Sequence, residues 1–181
     1  MRSLKAEGIV IKRINYGEAD RIITVLTKYQ GKLSVKATGV RKITSKRSAH
    51  IELLNHATLN LYMGNKFPVL TEAEAITDFS VIKNDLTKVG MAYHICELVD
   101  SLCPEGQEQR AVFELLHTTL VRLCTDEDMA VVIHNFELQL LSLLGYWQGA
   151  DTAAATLDTQ VFIEGIIEKK LKSRRIFTKL T

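Results

Sequence analysis

The sequence lacks the features of secreted and membrane-spanning proteins. Its three cysteines are an odd number, spaced too widely for a disulfide framework, so reduced thiols are expected. The longest apolar stretch, residues 138–144, is interrupted by Gln139 and Ser142 and is far shorter than the roughly 18 residues of a membrane span. The N-terminal residues contain no apolar core of a secretory signal. These absences predict a cytoplasmic protein with no membrane partner.

Motifs for catalysis and for cofactor binding are missing as well. The five histidines show no His-x-x-x-His spacing, the cysteines show no Cys-x-x-Cys spacing, and no pair matches a zinc motif. The glycines lack the spacing of a nucleotide-binding loop, and no serine, cysteine or lysine has a neighbouring base that would make it a nucleophile. We therefore predict no metal, no cofactor and no catalytic residue, and a hydrolase is the weakest functional hypothesis.

Charge is sorted along the chain, although the formal net charge is only +2. Residues 1–50 carry twelve Lys and Arg against three acidic residues, a net charge of +9. Residues 51–163 carry five basic against sixteen acidic residues, a net charge of −11, and residues 164–181 return to +4 with six against two. A protein with one cationic end and an acidic remainder is suited to holding a polyanion at that end. The pattern therefore predicts nucleic-acid binding by the N-terminal part.

The first part of the chain shows the period-two alternation of β-strands. Strands are predicted at about 9–13, 21–27, 32–38, 53–63 and 67–77. Residues 39–50 have no periodicity and are predicted to form a long loop. Five strands in so short a segment fit a small closed barrel better than an open sheet, because the edges of an open sheet would need cover.

From residue 80 the apolar spacing becomes helical. The first helix is predicted from about Val81 or Asn84 to Leu102, and further helices are predicted at about 107–124, 129–144 and 159–180. Residues 148–158 are small and polar and are predicted to be a linker, and the last helix carries a basic run. The predicted fold class is α+β multidomain: a five-stranded barrel domain over 1–79, followed by an all-α domain over 80–181.

Basic side chains of the barrel and its long loop are the candidate phosphate ligands. Lys32 and Lys36 share the outward face of one predicted strand. The predicted DNA-binding residues are Arg13, Arg21, Lys32, Lys36, Arg41, Lys42, Lys46 and Arg47, together with Lys172, Arg174 and Arg175 of the last helix. Tyrosines 16, 29 and 62 are available to stack on bases. A solvated charged surface is the simpler alternative for any one pair of lysines.

Several segments resemble, in order and spacing, the RecO family of recombination mediators. The N-terminal ones are Glu7-Gly8-Ile9-Val10-Ile11, Tyr16-Gly17-Glu18-Ala19-Asp20-Arg21, the stretch 31–41, Ser45-Lys46-Arg47-Ser48 and Thr71-Glu72-Ala73-Glu74. The C-terminal ones are Phe136-Glu137-Leu138-Gln139-Leu140-Leu141, Leu144-Gly145-Tyr146 and Leu171-Lys172-Ser173-Arg174-Arg175. The resemblance covers nearly the whole chain, and it is the order of the segments that makes it specific.

The resemblance implies an N-terminal OB-fold (oligonucleotide-binding) barrel and a helical domain. It also implies a DNA repair and recombination mediator that binds single- and double-stranded DNA, anneals single strands and helps a recombinase to load onto DNA coated by single-stranded DNA-binding protein (SSB). The implied partners are DNA, the acidic C-terminal tail of SSB, RecR and, indirectly, RecA, in a cytoplasmic protein associated with the nucleoid. Many members place a four-cysteine zinc module after the Leu-Gly-Tyr segment. Here no cysteine follows Cys124, so no zinc site is expected.

The SSB tail docks on the helical domain in this family, and a cation is needed to receive its acidic residues. Arg122, Lys88 and Arg110 are among the few bases of the acidic helical half, so one of them is predicted to anchor the tail, with Arg122 the first choice. Two other functional classes stay open from the sequence. One is an RNA-binding or ribosome-associated OB-fold protein, and the other is an interaction scaffold whose basic end binds an acidic protein.

Overall fold

A computed structural model describes residues 3–64, 67–125, 128–148 and 158–173. The strands in these ranges are β1 (Ser3–Tyr16), β2 (Asp20–Thr27), β3 (Gly31–Ala37), β4 (His56–Met63) and β5 (Pro68–Thr77), with a short 3-10 helix (Ala49–Ile51) before β4. The helices are α1 (Ser80–Lys83), α2 (Leu86–Leu102), α3 (Arg110–Thr125), α4 (Met129–Leu143) and α5 (Thr159–Ile167). The predicted fold class, a five-stranded barrel followed by helices, is confirmed.

The strands close into a barrel in the order β1-β2-β3-β5-β4. Strand β1 is long enough to pair antiparallel with two neighbours, its first half with β4 and its second half with β2. A register shift between Val10 and Lys12 marks a bulge, which bends β1 from one neighbour towards the other. This closed Greek-key arrangement is that of an OB-fold.

The barrel closes least completely between β3 and β5. These strands run parallel, and their register is defined by one pair of residues, Lys36 opposite Val69. In contrast, β4 and β5 pair antiparallel from His56 to Met63. Few backbone hydrogen bonds therefore join β3 to β5, and side chains that bridge this gap gain structural importance.

Aliphatic side chains from the strands and the 3-10 helix fill the barrel. The buried set includes Val10, Ile23, Val25, Val35, Ile51, Leu59, Leu61 and Leu70. Burial of apolar surface at about 25 cal/mol per Å² is the main stabilising contribution of such a core. At Gly8 the β1 and β2 backbones approach closely, because a Cβ there would lie 2.5 Å from Val25 Cγ1.

The chain divides into two compact units that alternate along the sequence. The first contains residues 1–79 and 103–113, and the second contains 80–102 and 114–181. In the first unit, Gly106 N donates a hydrogen bond to Lys32 O at 2.9 Å, which ties the segment 103–113 to β3. Gly31, with φ of +69°, has no room for a side chain, because a Cβ would lie 1.9 Å from Gln107 O. The barrel unit thus includes a segment that the sequence assigned to the helical half.

In the second unit, aspartates cap the starts of two helices. Asp85 Oδ1 accepts hydrogen bonds from the N–H groups of Thr87 (2.9 Å) and Lys88 (3.1 Å) at the start of α2. The region of the helix predicted from Val81 or Asn84 thus contains the short α1 and then α2, which begins at Leu86. Asp128 Oδ1 accepts one from Val131 N at 3.2 Å and caps α4. Helix α4 packs against both α2 and α5. No helix in the described ranges combines the length and hydropathy needed to cross a membrane.

The last helix is shorter than predicted. Helix α5 ends at Ile167, and Glu168 adopts a left-handed backbone conformation with φ of 53°. The prediction of one helix over 159–180 is therefore wrong for 168–173, and the described part of the basic run leaves the helix. Arg174 and Arg175, as well as most of the predicted linker 148–158, lie outside the described residues.

A carboxylate of α2 accepts hydrogen bonds from the backbone that follows α5. Glu97 accepts hydrogen bonds from the N–H groups of Lys172 at 2.9 Å and Ser173 at 2.8 Å, one on each oxygen. Leu171 N donates to Glu164 Oε1 at 3.0 Å. Because these bonds use backbone N–H groups, the exposed Lys172 side chain takes no part in them. The segment 171–173 is therefore held by its backbone N–H groups, and the Lys172 ammonium is not needed for this attachment.

A buried polar network completes this attachment. The His94 ring contacts Ser173 Oγ at 2.8 Å through Nδ1 and Glu137 Oε1 at 2.7 Å through Nε2. Thr159, the first residue of α5, donates to the other oxygen of Glu137. All four residues are buried. Buried polar groups are stable only when they are mutually satisfied, so this network links α2, α4 and α5 through one carboxylate.

The three cysteine thiols are free, and two of them are buried. Cys96 and Cys103 are buried, and desolvation raises the pKa of the Cys96 thiol to about 12 and that of Cys103 to about 11. Desolvation also raises the pKa of the half-buried Cys124. Since the thiolate is the reactive species, these groups act as small apolar core residues.

Replacing Glu137 tests the buried network. The variant Glu137→Ala leaves the His94 ring and the Thr159 hydroxyl buried without their shared partner, and breaking a buried pair in this way costs about 3–5 kcal/mol. We expect a fall of this size in the free energy of unfolding, measured by urea denaturation with far-UV circular dichroism. Gln139→Ala, at an exposed position of the same helix, is the matched control and should change stability by less than about 0.5 kcal/mol. Equal effects of the two variants would contradict a structural role for the network.

Candidate nucleic-acid interface

The loop that follows β3, residues 38–48, is here called the basic loop. Its first residues are anchored to the turn between β1 and β2. Asp20 Oδ1 accepts a hydrogen bond from Gly39 N at 2.8 Å. Arg41 bonds the same turn twice, from its backbone N–H at 2.9 Å and from Nη1 to Gly17 O at 3.0 Å. The start of the basic loop is therefore held in a defined position on the barrel.

The end of the basic loop is tied across the gap in the barrel by Arg47. Its Nη1 donates to Leu70 O on β5, and its Nη2 donates to Thr38 O just after β3, both at 2.7 Å. A planar guanidinium can reach two carbonyls at once, which a single ammonium cannot do with the same geometry. The predicted phosphate ligand Arg47 thus joins the two strands that pair least, and its guanidinium is engaged with their carbonyls.

The basic loop also presents cations to solvent, among them Arg41, which is exposed although it bonds the turn. Arg41, Lys42 and Lys46 are exposed. Two turn hydrogen bonds, Lys42 N to Gly39 O at 3.2 Å and Ser45 N to Lys42 O at 2.9 Å, shape this part of the loop. Among the predicted DNA-binding residues that the structure describes, these three cations are exposed and lie in one loop.

A shallow groove on the barrel surface adjoins the basic loop. One concave region of about 500 Å³ is lined by Lys5, Lys46 and His50 together with polar residues of β4 and β5. A second region of about 490 Å³ is lined by the basic loop itself, and the two share Lys46 and Arg47. Glu72 and Glu74 also line the first region, so its positive charge is concentrated on the side of the loop.

Three other predicted DNA-binding residues are paired with carboxylates of the chain itself. Arg13 and Arg21 both contact Glu52, Arg21 with a distance of 3.5 Å between Nη1 and Oε1. Lys36 Nζ lies 3.1 Å from Asp20 Oδ2. A backbone N–H of the basic loop and then the Lys36 ammonium lower the pKa of Asp20. A phosphate that binds these cations must compete with the internal carboxylates, although partly exposed pairs of this kind are weak.

Lys32 is buried, so the expectation that it lies on the exposed barrel face is wrong. Its residue retains 7% of its possible exposure. The strand alternation correctly places its side chain outside the barrel, but the segment 103–113 covers that part of the surface. A parallel bridge joins Lys32 to Glu105. Because residues 103–113 are distant from β3 in sequence, the alternation along β3 could not indicate that Lys32 is buried beneath them.

The three candidate tyrosines are each about half exposed. Lys36 Nζ lies 5.2 Å from the centroid of the Tyr16 ring, and the guanidinium of Arg110 lies 5.5 Å from that of Tyr29. Tyr16 precedes β2 and Tyr29 follows it, so the two rings belong to opposite ends of that strand. The rings are accessible for stacking on bases, but these two do not form a single platform.

The three predicted tail-binding cations do not form one group. Arg110 belongs to the barrel unit, where it lies over Tyr29, whereas Lys88 and Arg122 belong to the second unit. Lys88 Nζ donates to Cys124 O at 3.3 Å, where it stabilises the C-terminal end of α3. Arg122 is half-buried in the last turn of α3. Arg110 begins α3, as expected for a cation of the helical half, but it groups with the barrel unit.

Several histidines have partners that explain them structurally. His56 Nε2 lies 3.0 Å from Glu7 Oε1, and His50 Nδ1 accepts a hydrogen bond from Ala75 N at 3.1 Å. His94 belongs to the buried network described above. Across the ranges that the structure describes, no group of three or more His, Cys, Asp or Glu side chains is placed to hold a metal ion.

Sequence reasoning missed the acidic residues that control the cations. Asp20 both pairs with Lys36 and fixes the basic loop, and Glu52 contacts two arginines. A signal was available, because Asp20 is one of only three acids among the first fifty residues. A rare carboxylate within a cationic segment is expected to find a partner there. The sequence analysis also did not single out Ile43, an exposed apolar residue of the basic loop.

Comparison with known proteins assigns the chain to a family. The family model for Recombination protein O N terminal matches residues 1–79, which include the barrel strands. The model for Recombination protein O C terminal matches residues 83–148. The chain belongs to the RecO family. In RecO terms, the basic loop and its groove lie in the N-terminal region, and Lys88 and Arg122 lie in the C-terminal one.

Relatives of this RecO chain carry the name DNA repair protein RecO. That of Roseiflexus sp. (strain RS-1) is 37% identical over 145 residues, which cover 80% of this chain and 51% of that protein. That of Symbiobacterium thermophilum is 35% identical, covering 81% of this chain and 58% of the relative. That of Heliobacterium modesticaldum is 38% identical, covering 81% and 53%. The chain thus spans little more than half the length of these relatives.

The two hydrogen bonds of Arg47 can be tested by a pair of variants. Hydrogen bonds from charged groups contribute roughly 1.5–3 kcal/mol each, so we expect Arg47→Ala to lower the free energy of unfolding by at least about 2 kcal/mol. Arg47→Lys should recover only part of this loss. Urea denaturation is the measurement, and Lys46→Ala is the control at an exposed neighbouring position. If Arg47→Lys is as stable as the unmodified protein, bridging of the two carbonyls is unimportant.

Proposed function

We propose that this RecO chain is a non-catalytic DNA-binding mediator. It binds single- and double-stranded DNA, anneals complementary single strands and helps the recombinase RecA to load onto DNA coated by SSB. The observation that carries the proposal is the basic loop, which exposes Arg41, Lys42 and Lys46 together on an OB-fold barrel. Membership of a family whose relatives are named DNA repair proteins supports DNA as the polyanion.

Phosphate contacts from the basic loop account for annealing in physical terms. Cations that neutralise part of the charge on each strand reduce the repulsion between two strands that are brought together. Contacts to the sugar–phosphate backbone do not read sequence, and they leave the base edges free to pair. An OB-fold that combines a positive surface with accessible aromatic rings is a common scaffold for such binding. The proposed role requires no covalent step.

The internally paired cations form a second, weaker set of phosphate ligands in this proposal. Arg13, Arg21 and Lys36 reach a DNA phosphate by exchanging their carboxylate partners for it. Each exchange leaves Glu52 or Asp20 next to the incoming anion, so the net gain is smaller than for an unpaired cation. The exposed cations of the basic loop therefore determine most of the affinity.

Salt dependence of single-strand binding is the decisive measurement. Each phosphate contact on a single strand contributes about 0.7 to the slope of log K against log salt concentration. We expect the double variant Lys42→Ala with Lys46→Ala to reduce that slope by about 1.4, for all sequences alike. Fluorescence anisotropy of a labelled oligonucleotide over a salt series measures the slope, and strand annealing with and without SSB should slow in parallel.

Two further variants give this experiment its controls. Lys83→Ala removes a cation from α1 in the second unit and should leave the slope unchanged. Glu52→Gln releases Arg13 and Arg21 from their carboxylate and should tighten binding at low salt. An unchanged slope in the double variant would exclude the basic loop from the interface. Stronger binding to RNA than to DNA of the same sequence would favour the RNA-binding alternative, and no binding to either would favour the protein scaffold.

The partners SSB, RecR and RecA complete the proposal, with the protein acting in the cytoplasm at the nucleoid. An acidic tail requires a cation that is accessible on the helical unit. Arg122 in the last turn of α3 remains the first choice, whereas Arg110 belongs to the barrel unit. These assignments extend the proposed function to the C-terminal region of the chain.

Reversal of charge at Arg122 tests the proposed docking of the SSB tail. Because the tail is acidic, Arg122→Glu should weaken binding of an SSB tail peptide at least tenfold, measured by peptide fluorescence anisotropy. Arg110→Glu makes the same charge change in the barrel unit and is the control. Equal weakening by both variants would show that net charge alone attracts the peptide. Unchanged binding in Arg122→Glu would exclude this anchor.

A further inference from the structure

One apolar side chain lies in the middle of the cationic part of the basic loop. Ile43 is fully exposed, and among the residues that the structure describes no other large apolar side chain is exposed to the same extent. Single exposed apolar residues are ordinary on protein surfaces and need no explanation by themselves. Ile43 differs from these because it follows Arg41 and Lys42 directly and precedes Lys46 by three positions, all of them exposed.

The basic loop holds Ile43 in a defined position. The turn closed by the hydrogen bond from Ser45 N to Lys42 O contains this residue, and the turn from Gly39 to Lys42 directly precedes it. On one side Arg41 is bonded to the turn between β1 and β2, and on the other Arg47 is bonded to the barrel. Ile43 is also β-branched, so its side chain is stiff about χ1. An apolar group presented in this way is preorganised for contact with another molecule.

The charges around Ile43 indicate what that molecule is. Exposed cations on both sides favour a polyanion, and the occupant must offer an apolar surface between its negative charges. A nucleic-acid strand meets this requirement, because it carries a negative phosphate at every nucleotide and the apolar faces of its bases lie alongside the phosphates. Many DNA-binding proteins insert an isoleucine, leucine, methionine or phenylalanine between neighbouring bases and unstack them.

We propose that Ile43 inserts between adjacent bases of the bound strand and unstacks them, while Lys42 and Lys46 hold the flanking phosphates. This inference rests on the proposed function and adds a contact to bases at the same site. The bases that Ile43 separates are displaced from their stack, so their pairing edges become accessible to a complementary strand. Ile43 then speeds annealing without contributing to the salt slope, because it carries no charge.

Replacement of Ile43 by alanine tests this contact with a direct readout. The fluorescence of 2-aminopurine in an oligonucleotide is quenched by stacking, and it should rise when the protein binds. With Ile43→Ala at saturating concentration and low salt, we expect at least a threefold smaller rise and at least a threefold slower annealing, with an unchanged salt slope. Ile43→Phe should preserve the rise. Ile76→Ala is the matched control, an exposed isoleucine of β5 in the same unit whose charged neighbours in sequence are Glu74 and Asp78.

The outcomes separate this inference from the function on which it rests. If the unmodified protein binds no single strand, the proposed function fails and the inference fails with it. If the protein binds with the expected salt slope but Ile43→Ala retains the full fluorescence rise and annealing rate, only the role of Ile43 is overturned. If Ile43→Ala instead reduces cosedimentation with vesicles of anionic phospholipid and leaves the fluorescence rise intact, Ile43 contacts membranes and the inference is wrong.

Discussion

The position of the candidate interface depends on the two hydrogen bonds that Arg47 donates to carbonyls on either side of the gap between β3 and β5. Strands β3 and β5 share a single register pair, so the backbone alone closes the barrel weakly at this point. The same side chain also fixes the end of the basic loop. Closure of the barrel and presentation of the loop cations are thus two results of one contact, and neither can be altered through Arg47 without affecting the other.

Competition between internal carboxylates and external phosphates is the second constraint on the site. The N-terminal region is strongly basic, yet Asp20 and Glu52 neutralise three of the cations that its sequence singles out. Such pairs limit repulsion among like charges in the unbound protein. They also divide the cations into two sets. Those exposed on the basic loop can bind a phosphate directly, whereas the paired ones must first exchange a carboxylate for it. Net charge alone therefore overstates the number of phosphate contacts.

Local sequence patterns were sufficient to predict the strands and most of the helices. The features that they could not predict arise from packing between segments that are distant in sequence. The alternation along β3 correctly separated Val35 and Ala37, which are buried, from Lys36, which is partly exposed. It could not show that residues 103–113 cover Lys32, because no local pattern encodes which segment packs outside a barrel. Likewise, apolar spacing found α5, but it did not show that the helix ends at a left-handed Glu168 or that Glu97 of α2 bonds the backbone of residues 172 and 173. In the site, the loop cations were evident from composition, whereas the roles of Arg47 and Asp20 required distances.

The alternation of the two units along the chain has a practical meaning for dissecting the protein. A fragment cut at residue 79 would contain every strand of the barrel but none of the residues 103–113 that belong to the same unit. Such a fragment would expose the backbone around Gly31 and uncover the Lys32 side chain, which would present to solvent a cation that the intact chain conceals. Nucleic-acid affinities obtained from an isolated barrel would then exceed those of the intact chain for a reason unrelated to its biology. A fragment that keeps residues 103–113 also contains α2, which packs against α4, so a single cut cannot isolate the barrel unit.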